Sequence, residues 1–352
     1  MTKQTWTAAV AALLFVTLAA VIAMVPVPFV SWSPGSTYDL LGTVEVEGSE
    51  VAAIQIDGAE THPVAGEVRM ATVSVTRPDS ALTLPEALLS YWMPAREVLP
   101  RDAVYRPGAK ADELQDDSVR LMDDSQTSAV VAALRVAGIE VEELPMVSWV
   151  SIAGPAHDQL MPGDLIVAVD NQPVERRSDV QRAIAEHRIG DAVKFDLVRD
   201  RVRLSRTVTT RASSTEPSTP AVGIGLDTGF RYEPRVTFHL EPAIGGPSAG
   251  LPFAIAIYSM LTSDDVLDGR VVAGTGTLAA GGQVGQIGAV QEKIAAAVQD
   301  GATVFLLPSA NCEDAKVSHE GLRLVPVDNL GDALAALEAL KDPAQEAAVP
   351  KC

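Results

Sequence analysis

Eighteen consecutive residues, Ala8 to Val25, hold a single polar side chain, Thr17, and no charge falls between Lys3 and Asp39. At ~1.5 Å per residue a helix of that length reaches ~27 Å, and continuing to Val30 covers a ~30 Å hydrocarbon core. The run therefore predicts a transmembrane helix, with residues 1–30 as cytoplasmic stub and anchor and 8–30 as the membrane contact. A cleaved signal peptide is the rival reading. Its apolar region is typically ~7–15 residues long and ends at a small-x-small site. Ala20–Met24 offers no clean version of that site, and Pro26 and Pro28 follow. Lys3 and the terminal amine lie on one side of the run, and the first basic residue on the other side is Arg69. The positive-inside rule then leaves the N-terminus in the cytoplasm. The expected placement is the cell membrane, single-pass, with the bulk of the chain extracytoplasmic.

The remainder is acidic. Twenty-seven basic against 46 acidic side chains give a net charge of −19. That balance excludes a nucleic-acid partner, which needs a basic face to displace counterions. It also disfavours docking of the soluble part on an anionic lipid surface. Cys312 and Cys352 are too few for a disulfide scaffold or a thiolate zinc site. They can bridge in an oxidising compartment or stand as free thiols. From Asp112 to Asp124 acids cluster, but nothing fixes them around one point, so a solvated helix face is expected there. No metal site and no cofactor are indicated.

Residues 31–125 read as an N-terminal α/β region. Ser33-Pro34-Gly35-Ser36 is a turn, and 43–47 and 70–75 alternate as strands. Leu84 to Met93 has the spacing of an amphipathic helix, with Leu84, Ala87, Leu88 and Tyr91 on one stripe. Residues 126–212 carry Gly154-Pro155-Ala156 and then Leu160-Met161-Pro162-Gly163-Asp164-Leu165-Ile166-Val167. A helix from Ser178 to His187 follows, then strands 192–199 and 202–209 turning at Asp200-Arg201. That order and the Pro-Gly-Asp-x-Ile core resemble a circularly permuted bacterial PDZ domain. The resemblance implies a groove between a strand and the 178–187 helix that accepts an extended peptide as an added strand. The other reading is a PDZ-shaped spacer. The peptide-binding residues stay unknown. Residues 213–220, rich in Ser, Thr and Pro, read as a linker.

The last stretch, 221–343 with a tail at 344–352, holds the candidate chemistry. Strand 236–240 and a loop, Glu241 to Gly246, lead to Pro247-Ser248-Ala249-Gly250. Leu251 to Leu261 follows, apolar nearly all round, which predicts a buried helix. Ser248 is thus set at a helix N-terminus, where N–H groups and the dipole stabilise an oxyanion. Pro247 has no N–H, so donors must come from the backbone of Gly245, Gly246, Ser248 or Ala249. A serine that merely caps the helix satisfies the same pattern. A second helix, Ala289 to Asp300, ends at Gly301 and carries an apolar stripe of Val290, Ile294 and Ala297. Lys293 falls on that stripe. It either snorkels out or sits in a dry site. Near an ordinary pKa of ~10.4 only about one lysine in 2,500 is neutral at pH 7; at ~8 about one in ten is, enough for a general base.

Gly246-Pro247-Ser248-Ala249-Gly250, Thr275-Gly276-Thr277-Leu278, Gly282-Gln283-Val284 and Ile287-Gly288-Ala289-Val290-Gln291-Glu292-Lys293 resemble the proteolytic domain of Lon-type serine proteases. The serine-to-lysine spacing is 293 − 248 = 45. The resemblance implies a Ser-Lys dyad of Ser248 and Lys293, with Thr275 matching a threonine that supports the lysine. It departs in two places. The Lys-Asp pair of Lon before Gly-Pro-Ser is here Ile244-Gly245, and no G-x-x-x-x-G-K-[ST] run occurs in these 352 residues. Anchor, PDZ and Lon-type stretches together resemble membrane-anchored PDZ-containing Lon-like proteases, in which 64–91 would belong to the protease fold. The expected class is α+β: an N-terminal transmembrane helix, a PDZ-like β-rich domain and a Lon-type α/β proteolytic domain. The implied function is an ATP-independent serine endopeptidase acting on unfolded or membrane-released polypeptides, and the resemblance implies a ring-like homo-oligomer. Two rivals are weighed. Gly246-x-Ser248-x-Gly250 also fits the nucleophile elbow of an α/β-hydrolase, whose acid and histidine would have to be Asp314 and His319. The other is a non-catalytic PDZ adaptor with an inert Lon-like domain.

Overall fold

A computed structural model describes residues 3–46, 48–240, 244–316 and 319–352. The expected strand end Glu47 and the loop residues Glu241, Pro242 and Ala243 lie outside the described residues.

In chain order, α1 (Lys3–Met24) precedes β1 (Phe29–Asp39), β2 (Glu67–Val75), α2 (Leu84–Trp92), β3 (Glu97–Pro100) and α3 (Ala111–Val136). Then come β4 (Glu142–Val150), β5 (Leu165–Val169), α4 (Arg177–Ala185), β6 (Ala192–Arg199), β7 (Val202–Thr209) and β8 (Ile224–Arg231). The chain closes with α5 (Gly250–Leu261), β9 (Val271–Gly274), α6 (Val290–Gln299), β10 (Val304–Pro308), β11 (Arg323–Val327) and α7 (Leu330–Ala339).

Two units result: residues 139–233, and a unit assembled from 1–138 and 234–352. The borders drawn from composition, 126–212 and 221–343, fall elsewhere. Residues 126–136 continue α3, whose apolar stripe runs on past the acidic stretch. The Ser/Thr/Pro-rich 213–220 does not join two units; it turns between the paired short strands Arg211–Ala212 and Pro220–Ala221. The segment 64–91 supplies a strand and a helix of the larger unit.

The larger unit is built on the sheet β11-β10-β9-β2-β1-β3. Its first four strands are parallel, with Val272 opposite both Val304 and Val68, and β1 runs antiparallel to β2 and β3. Parallel strands are covered on both faces and so read as continuous apolar runs; β10, Val-Phe-Leu-Leu-Pro, is buried throughout. Helix α5 is buried from Gly250 to Ile257, each large side chain contributing about 1.5–3 kcal/mol. Helix α7 begins where Asn329 Oδ1 accepts the Asp332 N–H at 2.9 Å, the ordinary N-cap arrangement. Cys312 and Cys352 are disulfide-bonded, which decides the pairing left open by sequence.

The smaller unit is an antiparallel sheet, β7-β6-β5-β4-β8, with α4 packed on it. Its core is Val147, Ile166, Val180, Phe195 and Leu197. Asp164, 0% exposed, takes Arg199 Nε at 2.6 Å and Nη2 at 2.8 Å and the Met161 N–H at 2.8 Å. The Pro-Gly-Asp of the sequence is thus a turn held by a bidentate ion pair.

Candidate active site

Ser248 sits in a single 3₁₀ turn, Pro247–Ala249, that feeds α5. The turn starts from Gly246, whose φ of +97° suits glycine. Gly245 is constrained differently, because a Cβ there would lie 2.2 Å from Ser118 Oγ. Behind the turn, the residues that follow β9 hold the backbone of Ser248. Gly276 N–H donates to the Ser248 carbonyl at 2.8 Å, and the Gly276 carbonyl accepts the Leu251 N–H at 3.1 Å. Thr275, 0% exposed, donates its hydroxyl to the same Ser248 carbonyl at 3.2 Å. Its support therefore falls on the serine's backbone, where the resemblance had implied support of the lysine.

Lys293 comes from α6. Val290, Ile294 and Ala297 are buried on its stripe, and Gly301 closes the helix at φ +77°. Sharing that stripe, Lys293 is 4% exposed. Its Nζ lies 3.0 Å from Ser248 Oγ. Burial pushes the ammonium's pKa down to about 8, against the opposing charge of Glu292. Glu292 is itself buried, and desolvation raises its carboxyl above the ordinary range. The structure thus brings together a hydroxyl and an amine that is easily neutralised, at proton-transfer distance.

The expectation for the oxyanion donors needs correction in part. Gly246 N–H points to the Ser118 carbonyl at 3.3 Å, because α3 runs beside the loop. Ser125, one helical stripe further along, donates to the Pro247 carbonyl at 3.0 Å. Both serines are absent from the sequence reading. The signal was the stripe Ser118, Met122, Ser125, Ala129, hidden under the acids on the other side of the helix. Ser118, Met122, Gly245, Gly246, Ala249 and Lys293 line, with β2 residues 70–75, a cleft of about 780 Å³ at Ser248.

Asp314 accepts from Asn311 Nδ2 at 2.8 Å, and neither it nor His319 lines the cleft. The hydrolase triad has no geometric basis among the described residues. No cluster of metal-ligating side chains occurs among them either.

The smaller unit has a site of its own. Strand β8 pairs with β4 along its length and ends the sheet order. Between these strands and α4 runs a groove of about 490 Å³ lined by Pro145, Arg177, Ser178, Gln181, Leu226 and Thr228, among others. Just before β8, Gly223 has a φ of +77° and approaches the Gly154 Cα so closely that a side chain has no room. The sequence reading assigned 221–231 to the proteolytic stretch and so missed β8 as a wall of this groove.

Residues 224–340 match the Lon protease (S16) C-terminal proteolytic domain, and 120–210 match the PDZ domain. The chain thus joins a stretch similar to the proteolytic domain of Lon proteases with a stretch similar to a PDZ domain. Among curated relatives, the Lon protease of Chloroflexus aggregans is 35% identical over 133 residues, 35% of this chain and 16% of the relative. Lon protease 1 of Myxococcus xanthus is 38% identical over 126 residues, 34% of this chain and 15% of the relative. The chain therefore spans only about a sixth of these relatives. A solved PDZ domain of an SdrC-like protein from Listeria monocytogenes is 25% identical, covering 23% of this chain and 85% of that one, with a TM-score of 0.22.

Proposed function

We propose that the chain is an ATP-independent serine endopeptidase in which Lys293 activates Ser248. The observation that carries this reading is the 3.0 Å contact between Ser248 Oγ and the Nζ of a lysine that is 4% exposed. The charged amine donates across that contact. The neutral amine reverses it and takes the hydroxyl proton as Oγ attacks a peptide carbonyl. The leaving amine departs with that proton, an acyl-enzyme remains, and water attacks with Lys293 again as base. Ser248 and Ala249 N–H groups are the donors we assign to the developing oxyanion, with Thr275, Gly276, Ser118 and Ser125 fixing the turn.

The polypeptide substrate is held in part by the PDZ groove, an extended segment adding to β8 beside α4. Its substrates in this reading are flexible or membrane-released chains, which reach the dyad without prior unfolding. Residues 8–30 anchor it, with the catalytic unit outside the cytoplasm. Two features support that placement: residues 4–24 of α1 are exposed along the whole helix, and Cys312–Cys352 needs an oxidising compartment to persist. Ring-like self-assembly belongs to the same reading.

A serine-reactive fluorophosphonate should label the wild type and fail to label Ser248→Ala, and Lys293→Ala should lose peptidase activity. Full activity in either variant would sink the dyad, whereas a wild type that neither labels nor hydrolyses peptides would leave the non-catalytic PDZ adaptor as the surviving reading. Protease protection of intact membrane vesicles tests the topology: digestion of the bulk from the cytoplasmic face would reverse it.

A further inference from the structure

Helix α2 carries an apolar surface that its own unit leaves bare. The spacing of Leu84, Ala87, Leu88 and Tyr91 predicts a core-facing stripe, but the helix turns Ala87 and Ser90 inward instead. Leu88 is 42% exposed, Leu89 59%, Tyr91 71% and Trp92 74%. The helix is well formed without them, since Thr83 N–H and Oγ1 both reach Glu86 Oε2 at 2.8 Å and close its N-terminus. A contiguous apolar patch held this rigidly marks an interaction surface.

Its position identifies the partner. Helix α1 ends at Met24, and Pro26 and Val27 pair with Thr83 and Leu82, the residues immediately before α2. Helix α2 also packs beside α1. Val25 and Phe29, which lead out of α1, are exposed as well. The bare face is thus leashed to the point where the apolar helix ends. Its aromatic members are the two residue types that favour the membrane–water boundary, where a ring is apolar on one side and wet on the other.

We infer that α2 lies in the interfacial layer of the bilayer leaflet from which α1 emerges, with Tyr91 and Trp92 at headgroup depth and Leu88 and Leu89 toward the acyl chains. This rests on reading α1 as a membrane anchor. The attraction is apolar, in keeping with a chain of net charge −19 that gains nothing from anionic lipid. It also orients the catalytic unit. Arg77, Pro78 and Asp79 line the Ser248 cleft, and Asp79 is three residues, ~10 Å of extended chain, from Leu82. One wall of the cleft is therefore held close to the lipid surface, where segments leaving the membrane arrive.

The test uses the full chain in phosphatidylcholine vesicles whose acyl chains carry bromine near the glycerol. In a Trp6→Phe background, which silences the anchor's own indole, part of the remaining emission should be quenched relative to plain vesicles. Adding Trp92→Phe or Leu89→Glu should abolish that quenching, while hydrolysis of a soluble flexible peptide by Leu89→Glu stays at the wild-type level. Chains resistant to carbonate extraction whose Trp92 is unquenched overturn this inference alone. Cross-linking between two copies through position 92, with Trp92 unquenched, overturns it in favour of a dimer contact. Release of the wild-type chain by carbonate overturns the anchor reading and this inference together.

Discussion

In the Ser248 cleft the decisive groups are withdrawn from water, whereas along the groove of the smaller unit a strand edge is left open to it. Lys293 and Thr275 are buried, and the nucleophile's carbonyl is held by two donors. Strand β8, by contrast, has a strand neighbour on one side only and turns its other edge to the α4 groove. On the proposed function the difference follows from two tasks. Proton transfer needs a dry site, since desolvation is what brings an amine near neutrality at working pH. Capture of an extended chain needs unmatched backbone donors and acceptors, which cost least where water can still reach them.

This contrast can be broken in order of effect. Ser248→Ala should lower hydrolysis of an unfolded polypeptide by at least about a thousandfold while leaving the thermal melt in place; a residual rate within tenfold of wild type would remove the cleft from the chemistry. Asp164→Ala strips the buried partner of Arg199 and should cost the smaller unit about 3–5 kcal/mol, read as early denaturant unfolding of residues 139–233. Serine labelling should survive that unfolding, since the dyad lies wholly in the other unit; its loss would mean the two units fold as one. The pH profile sharpens the cleft side. In the proposed mechanism the neutral amine of Lys293 is the active form, and burial brings its pKa down to about 8, so activity should climb as pH rises and level off above that value. At pH 6 the rate should be about a hundredfold below the plateau, and a flat profile from 6 to 9 would rule out the lysine as base. The smallest effect belongs to the groove. Leu226→Asp should raise KM for a long flexible substrate by about three- to tenfold and leave short-peptide turnover alone; a fall in kcat on short peptides would place Leu226 in the chemistry.

The sequence made some of this legible and concealed the rest for identifiable reasons. Lys293 stands out because its neighbours at three and four residues are apolar, so helical spacing alone puts the amine among them. Gly301 marks a helix end through backbone geometry, a local property. The stripe on α2 misleads because spacing tells which residues share a face and says nothing about what that face meets. Strand β8 was illegible for a different reason. It follows a Ser/Thr/Pro-rich stretch that reads as a border, and the PDZ match itself ends at 210, yet pairing with β4 returns 224–231 to the smaller unit. Ser118 and Ser125 act through hydrogen bonds to a loop 120 or more residues away, which no local pattern encodes.

The sheet of the larger unit draws β1, β2 and β3 from before the smaller unit and β9, β10 and β11 from after it, so β2 has no parallel neighbour until the chain has emerged past residue 274. The smaller unit, by contrast, is one continuous segment and can form as soon as residue 233 is out. During synthesis the polypeptide therefore owns a complete smaller unit well before Ser248 has its sheet behind it. On the proposed function, an order of assembly of this kind keeps the hydrolase from maturing before the module that would present its substrates.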